Sequence, residues 1–321
     1  MEILKLLFYI LIFPGFLFST VFGLFLSGID RKVVAKMQRR VGPPILQPFY
    51  DLFKLIGKER IIPREAARKV FIMAPIIGLV AAVTISLFIP IFGFTFVPNA
   101  ADIIVIIYLL TIPAVALMIG GSSSGSPYAG VGISREMVAM LSYELPLVIV
   151  LLAVGLKVGH GLDVTGGVTF SLAKINDYQV QNGTMISHLS MIPAAIAFLL
   201  LIPAEVGSVP FDVAEAETEI CEGPLVEYSG LYLGIYKLTS SVKIVIMTSL
   251  FVVLFLGGRG FGNLFANIIL FIVLCIVITI ISISFIKGVV GRIKIEQTLK
   301  FFWIVPTTLG ILSLVLAYLG L

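Results

Sequence analysis

The sequence predicts an all-α integral membrane protein with about eight transmembrane helices, and three observations predict it. Of 321 residues, 59% are hydrophobic and 12% charged, where soluble domains average roughly 25% charged. Mean hydropathy is +1.12, so lipid must be the solvent for most of the chain. Apolar runs long enough to cross a bilayer, about 20 residues each, recur from end to end between short charged connections.

These runs define a single membrane domain over 1–321. The first covers Ile3–Ser27 and is read as a retained span, being too long for a signal-peptide core and lacking a clear small-residue cleavage site. The others are Val70–Phe92, Asp102–Gly120, Met137–Leu156, Leu189–Ala204, Leu231–Gly257, Leu264–Ile286 and Phe301–Gly320. The fifth is short, which implies tilt, local thinning or a broken helix. No internal repeat is visible, so an inverted-repeat carrier gains no support.

Orientation follows the cations. The connection Gly28–Lys69 holds Arg31, Lys32, Lys36, Arg39, Arg40, Lys54, Lys58, Arg60, Arg64, Arg68 and Lys69, half of the 22 in the chain. Arg292 and Lys294 lie on the same side, whereas the opposite side carries Lys157, Lys174 and Arg259. The positive-inside rule places the first set in the cytoplasm of a prokaryotic cell, with both termini outside a multi-pass plasma-membrane protein. In the first cytoplasmic connection, Ile45–Ile56 clusters its apolar residues at helical spacing and predicts an interfacial amphipathic helix. The second connection, Gly121–Pro127, reads as a flexible Gly/Ser loop.

The third connection is acidic. Glu205, Asp212, Glu215, Glu217, Glu219, Glu222 and Glu227 supply seven of the chain's 18 acids, with no lysine or arginine between them. If 212–222 is helical, Asp212, Glu215, Glu219 and Glu222 share one face. Like charges at that spacing repel, so they need counter-charges or must keep protons. Interleaved Val206, Val209, Phe211, Val213, Ile220 and Leu225 argue against a freely solvated loop. The expected role is a proton-exchanging path or a docking face for a basic partner.

Charges inside the spans are costly and mark function. Lys243 falls near the middle of the sixth span, Lys237 nearer its end, and Glu144 lies within the fourth just before Pro146; Glu205 closes the fifth after Pro203. Glu144, Glu205, Lys237 and Lys243 are expected to line a polar interior path, although Lys237 can also snorkel to the surface. Arg135 and Glu136 are read as opening the fourth span, and His160 and His188 as surface residues. Two histidines and two distant cysteines, Cys221 and Cys275, cannot assemble a haem, zinc or iron–sulfur site within the chain. No cofactor or metal is therefore expected here. The Gly120–Gly125 stretch lacks the lysine of a phosphate loop, and neither a nucleotide nor a nucleic acid is an expected partner.

Several segments together resemble a known family. Met37-Gln38-Arg39-Arg40-Val41-Gly42-Pro43, Leu46-Gln47-Pro48 and Asp51-Leu52-Phe53-Lys54-Leu55 resemble the first cytoplasmic loop of subunit 1 of respiratory complex I. Ser142-Tyr143-Glu144-Leu145-Pro146 is similar to that family's Ser-Tyr-Glu-Ile-Pro element. Ala204-Glu205, Pro210-Phe211-Asp212, Glu215-Ala216-Glu217, Glu219 and Glu227-Tyr228-Ser229-Gly230 resemble its acidic loop in order and spacing. Arg292 to Gln297, with Trp303 and Pro306, is similar to its last loop. Two departures fall where the family builds its quinone chamber. The insertion before Leu46-Gln47-Pro48 is missing, and Ser208 stands where quinone-reducing members carry arginine. The compact form resembles the corresponding subunit of energy-converting membrane-bound NiFe hydrogenases, formate hydrogenlyase-like complexes among them.

This resemblance implies a membrane anchoring and coupling subunit, itself non-catalytic, that links redox chemistry in a peripheral arm to proton or sodium translocation. It implies ion-path roles for Glu144, Glu205, Asp212, Glu215, Glu217, Glu219 and Glu227, beside Glu222, Lys237 and Lys243. It implies arm-docking roles for Arg39, Arg40, Asp51 and Arg292, with Lys54, Arg135 and Lys294 beside them. The implied partners are a NiFe-hydrogenase-like large subunit and an iron–sulfur subunit carrying the redox centres, together with antiporter-like and small membrane subunits. The competing readings are a quinone-reducing complex I subunit, a subunit of a sulfur-reducing or carbon-monoxide-linked complex, and a stand-alone secondary transporter.

Overall fold

The structure, a computed structural model, describes residues 2–91, 102–162, 167–257 and 264–320. Arg259 and the expected end of the second span at Phe92 lie outside the described residues. In chain order the helices are α1 (Glu2–Leu11), α2 (Phe16–Met37), α3 (Gln47–Ile56), α4 (Arg68–Phe88), α5 (Ile103–Ser123) and α6 (Pro127–Gly161). There follow α7 (Leu172–Asn182), α8 (Ile192–Val206), α9 (Glu217–Ile220), α10 (Gly230–Phe251), α11 (Leu264–Ile278), α12 (Phe285–Val289) and α13 (Ile295–Tyr318). Among the described residues, 8 helical segments are long and apolar enough to cross a membrane, which agrees with the expected fold class.

The helices outrun their apolar stretches. α2 continues past Ser27 to Met37 and carries Asp30, Arg31, Lys32 and Lys36 beyond the hydrophobic segment. α6 has 35 residues, about 50 Å of helix against a hydrocarbon core of about 30 Å. It begins at Pro127, so Arg135 and Glu136 lie well inside it rather than at its opening. Hydropathy alone could not mark that start, because Tyr128 to Ser134 mix glycine and serine with apolar residues.

The expected flexible loop at Gly121–Pro127 is also corrected. α5 runs on to Ser123, leaving only 124–126 between helices. The hydroxyls of Ser123 and Ser124 donate back to the carbonyls of Gly120 and Gly121, each at 2.6 Å. Gly120 is small because its neighbours are close: a Cβ there would meet the Tyr236 hydroxyl at 2.2 Å. Here glycine serves close packing, not mobility.

α10 is the axis of the bundle. It packs against α2, α3, α4, α8 and α11, and its apolar window is 94% buried against 28% for the last helix. Its last turns widen into a π-helical segment over 252–256. The Gln179 amide of α7 donates to the carbonyls of Val253 at 2.8 Å and Leu254 at 3.1 Å there. A second π segment, 279–284, joins α11 to α12. The Ser284 hydroxyl donates to buried Asp30 at 2.8 Å, and the Lys287 ammonium donates to the same carboxylate at 3.0 Å. The short α3 lies with Leu52 and Leu55 over Gly234 of α10, while Tyr50, Phe53 and Ile56 are exposed.

Candidate functional site: a chain of acids entering the bundle

The connections at 38–67, 124–126, 207–229 and 290–294 meet at one end of the bundle. The Ile61 amide donates to the Ser229 hydroxyl, the Ala67 amide to the Ser123 carbonyl, and the Ile293 amide to the Pro210 carbonyl. The acidic segment is pinned there by Phe211, whose ring stands 5.8 Å from Phe301 and 4.8 Å from Phe302 of α13.

That segment does not form the continuous helix needed to place four acids on one face. It breaks into a 3₁₀ turn at Val213–Glu215, the single turn α9, and a second 3₁₀ turn at Gly223–Leu225. Cys221, Glu222 and Gly223 between them all have positive φ, at 51°, 69° and 51°. At Gly223 this is obligatory, since a Cβ would lie 2.2 Å from the Ala214 carbonyl. The break sends each acid to a different surrounding, which relieves the repulsion a continuous stripe would carry.

Counter-charges come from neighbouring elements. Arg292 donates to Asp212 through Nε at 3.1 Å and Nη2 at 2.9 Å, and through Nη1 to Thr218 at 3.2 Å. Arg135 donates to Glu219 at 2.5 Å. Both arginines, expected to face a peripheral arm, are thus engaged with the chain's own loop. Asp51 accepts from Arg31 at 2.8 Å and Gln47 at 2.9 Å. Burial acts to raise its pKa, but these bonds and the Arg31 charge outweigh it and hold the carboxyl below its ordinary value. Arg39, Arg40, Lys54 and Lys294 are exposed, and Arg39 has φ 57°.

Three cavities lead inward from this end. The outermost, about 360 Å³, is bordered by Asp30, Asp51, Asp212, Glu215, Glu217 and Glu222 and by the cations Arg31, Lys237, Lys287 and Arg292. The second, about 50 Å³, shares Asp212 and Glu215 with the first and adds Glu136, Tyr143, Glu205 and Lys243. The third, about 10 Å³, shares Tyr143 and Glu205 with the second and reaches Glu144. One water needs roughly 10–15 Å³, so the second cavity has room for a few waters and the third is about one water wide.

Lys243 is buried and paired with buried Glu205 at 3.0 Å. Lys237 is exposed and borders the outer cavity alone of the three, so the two lysines occupy different compartments. Six helical residues apart, they point about 240° from one another. Glu215 stands between the first two compartments. Burial, reinforced by Glu136, Asp212 and Glu222 and opposed by Lys243, pushes its carboxyl up to about 7. Glu227 is half-buried and borders none of the three cavities.

Sequence reading missed Glu136, which lines the second cavity with Ala139 and Tyr143. The spacing 136, 139, 143 is one helical face, a signal hidden by starting the span at 137. Asp30, which sits in the outer cavity, was hidden by ending the first span at Ser27. His188 departs from its expected surface position. Its Nε2 is buried without a hydrogen-bond partner, and burial, then the Lys157 charge, lowers the imidazole's pKa. Among the described residues, no group of three or more His, Cys, Asp or Glu side chains is placed to hold a metal ion.

Comparison with known proteins agrees with this architecture. The family described as NADH dehydrogenase matches residues 9–318. A membrane component of the NADH-quinone oxidoreductase of Syntrophotalea carbinolica is 32% identical over 306 residues, 89% of this chain and 87% of that one. Hydrogenase-4 component C of Escherichia coli is 34% identical over 233 residues, 72% of this chain and 70% of the relative. A chain of the membrane-bound sulfane sulfur reductase, an archaeal respiratory membrane complex, superposes with a TM-score of 0.85 at 32% identity, covering 94% of this chain and 96% of its own. The chain belongs to the NADH dehydrogenase family and is a multi-helix membrane member of the complex I subunit 1 type.

Proposed function

We propose that this membrane subunit of the complex I type anchors and couples a hydrogenase-type, ion-translocating complex in a prokaryotic plasma membrane. It would bind no redox centre itself. A NiFe-type large subunit and an iron–sulfur subunit would sit over the end where its four connections meet, with antiporter-like and small membrane subunits beside it. The observation that carries the coupling role is the run of three cavities whose shared walls are Asp212 and Glu215, then Glu205 and Tyr143. Redox events above that end change the local charge. Clustered carboxylates answer by taking up or releasing protons, and Glu215 does so nearest neutral pH. The ten charged side chains around the outer cavity suit water and ions rather than an apolar quinone tail. The similarity to hydrogenase-4 component C supports the hydrogenase assignment.

A second reading, a sulfur-reducing complex on the same scaffold, is favoured by the likeness to the sulfane sulfur reductase chain. Purifying the complex through a tag on this chain separates the two. The hydrogenase reading requires a NiFe-type large subunit and hydrogen evolution coupled to ion uptake by membrane vesicles. Polysulfide reduction without hydrogen evolution selects the second reading, and inhibitor-sensitive quinone reduction sinks both. Charge reversal of exposed Arg39 and Arg40 to glutamate should release the peripheral subunits; an intact complex would confine these arginines to a topological role.

A further inference from the structure

We propose that the groove between α4 and α5 holds an acyl chain of an anionic phospholipid, with the lipid phosphate at the first turn of α4. The groove is a surface slot of about 290 Å³. Ala74 and Ala116, both nearly inaccessible, are its floor, and Met73, Ile77, Val115 and Ile119 are its exposed walls. Lys69 is the one charged residue bordering it. From Lys69 to Ile77 the slot follows the helix for about 12 Å, close to half of a hydrocarbon core about 30 Å thick. That is the reach of a chain from one leaflet; a partner's transmembrane helix would need a groove running the whole thickness.

The end of the slot supplies the second argument. α4 begins with Arg68 and Lys69, preceded by Arg64, and its N-cap residue Ala67 gives no side-chain cap. Cations at a helix N-terminus stand against the macrodipole, which favours an anion there. The acid nearest in sequence is exposed Glu65, and among the described residues no ion pair includes Arg64, Arg68 or Lys69. A phosphate at this point would face free helix N–H groups and up to three cations, and its acyl chain would enter an apolar slot directly below. The basic connection thereby selects the leaflet, and the alanine floor makes room for the chain.

The test is native mass spectrometry of the full chain released from nanodiscs of equal dioleoylphosphatidylglycerol and dioleoylphosphatidylcholine. The native chain should retain phosphatidylglycerol preferentially. Arg68→Gln and Lys69→Gln should each weaken that retention about five-fold while leaving phosphatidylcholine unaffected. Met73→Trp narrows the slot from a half-exposed side chain, so folding is spared, and should displace both lipids. The proposal is overturned by equal retention of the two lipids in the native chain, or by unchanged retention in all three variants. It is equally overturned if a photo-crosslinker at Val115 in the intact complex captures a partner's helix in place of lipid.

Discussion

Lys243 and Glu205 are each other's only means of remaining charged where they sit, 3.0 Å apart and both buried. Truncating one member of such a pair leaves an uncompensated buried charge, at a cost of about 3–5 kcal/mol. Lys243→Met should therefore lower the thermal midpoint of the purified chain sharply, while adding Glu205→Gln restores most of the loss. If the double variant is no more stable than Lys243→Met alone, the pairing is not what holds the site. Glu215 makes a different statement. Its carboxyl is raised to about 7 from an ordinary value of 4.5, so the folded chain binds more protons than the unfolded chain between those values. Its contribution is most favourable below about pH 4.5, declines as pH rises towards 7, and is fully lost above that. Glu215→Gln should flatten this part of the stability–pH curve measured by thermal unfolding in detergent. A curve as steep as that of the native chain would remove Glu215 as the titrating group.

The acidic connection is held by side chains from three helices and by one glycine. Gly223→Ala would put a Cβ 2.2 Å from the Ala214 carbonyl at φ 51°, which costs roughly 1–2 kcal/mol in backbone strain before any clash. Hydrogen exchange over 212–226 should quicken in this variant while α10 stays protected; unchanged exchange would mean the left-handed turn is not what holds the loop. Phe211→Ala removes the ring stacked on Phe301 and Phe302 and should cost about 3–5 kcal/mol, seen as earlier proteolysis of the same segment. This element also shows where sequence reading succeeds and stops. The eight spans were legible because bilayer thickness imposes a length on them, and Glu205 and Lys243 because charges in apolar runs stand out. The course of 212–222 was not, because counter-charges on Arg135 and Arg292 and the closeness of Ala214 to Gly223 are long-range facts. Glu136 was missed for a related reason: the helix α6 reaches well beyond the apolar run that announces it.

Across the whole molecule, the acids follow the cavities from the loop end towards Glu144, which borders the innermost and narrowest of the three. The outer cavity is wide and charged, so no single residue there is expected to limit proton movement. The 10 Å³ cavity admits about one water, so a proton passing that point depends on the few ionisable groups around it, Glu205, Tyr143 and Glu144. Position along the path should therefore grade the effect of substitution. In the intact complex, Glu217→Gln at the exposed rim should leave ion translocation per electron near the native value, and Glu144→Gln should abolish most of it. The redox activity of the peripheral subunits should survive both changes, since neither residue is near the arm's redox centres in the proposed arrangement. Measuring ion uptake and electron transfer together in proteoliposomes distinguishes the outcomes. Parallel loss of both in Glu144→Gln would indicate disturbed assembly, and full translocation with Glu144→Gln would mean that the three linked cavities are not the path.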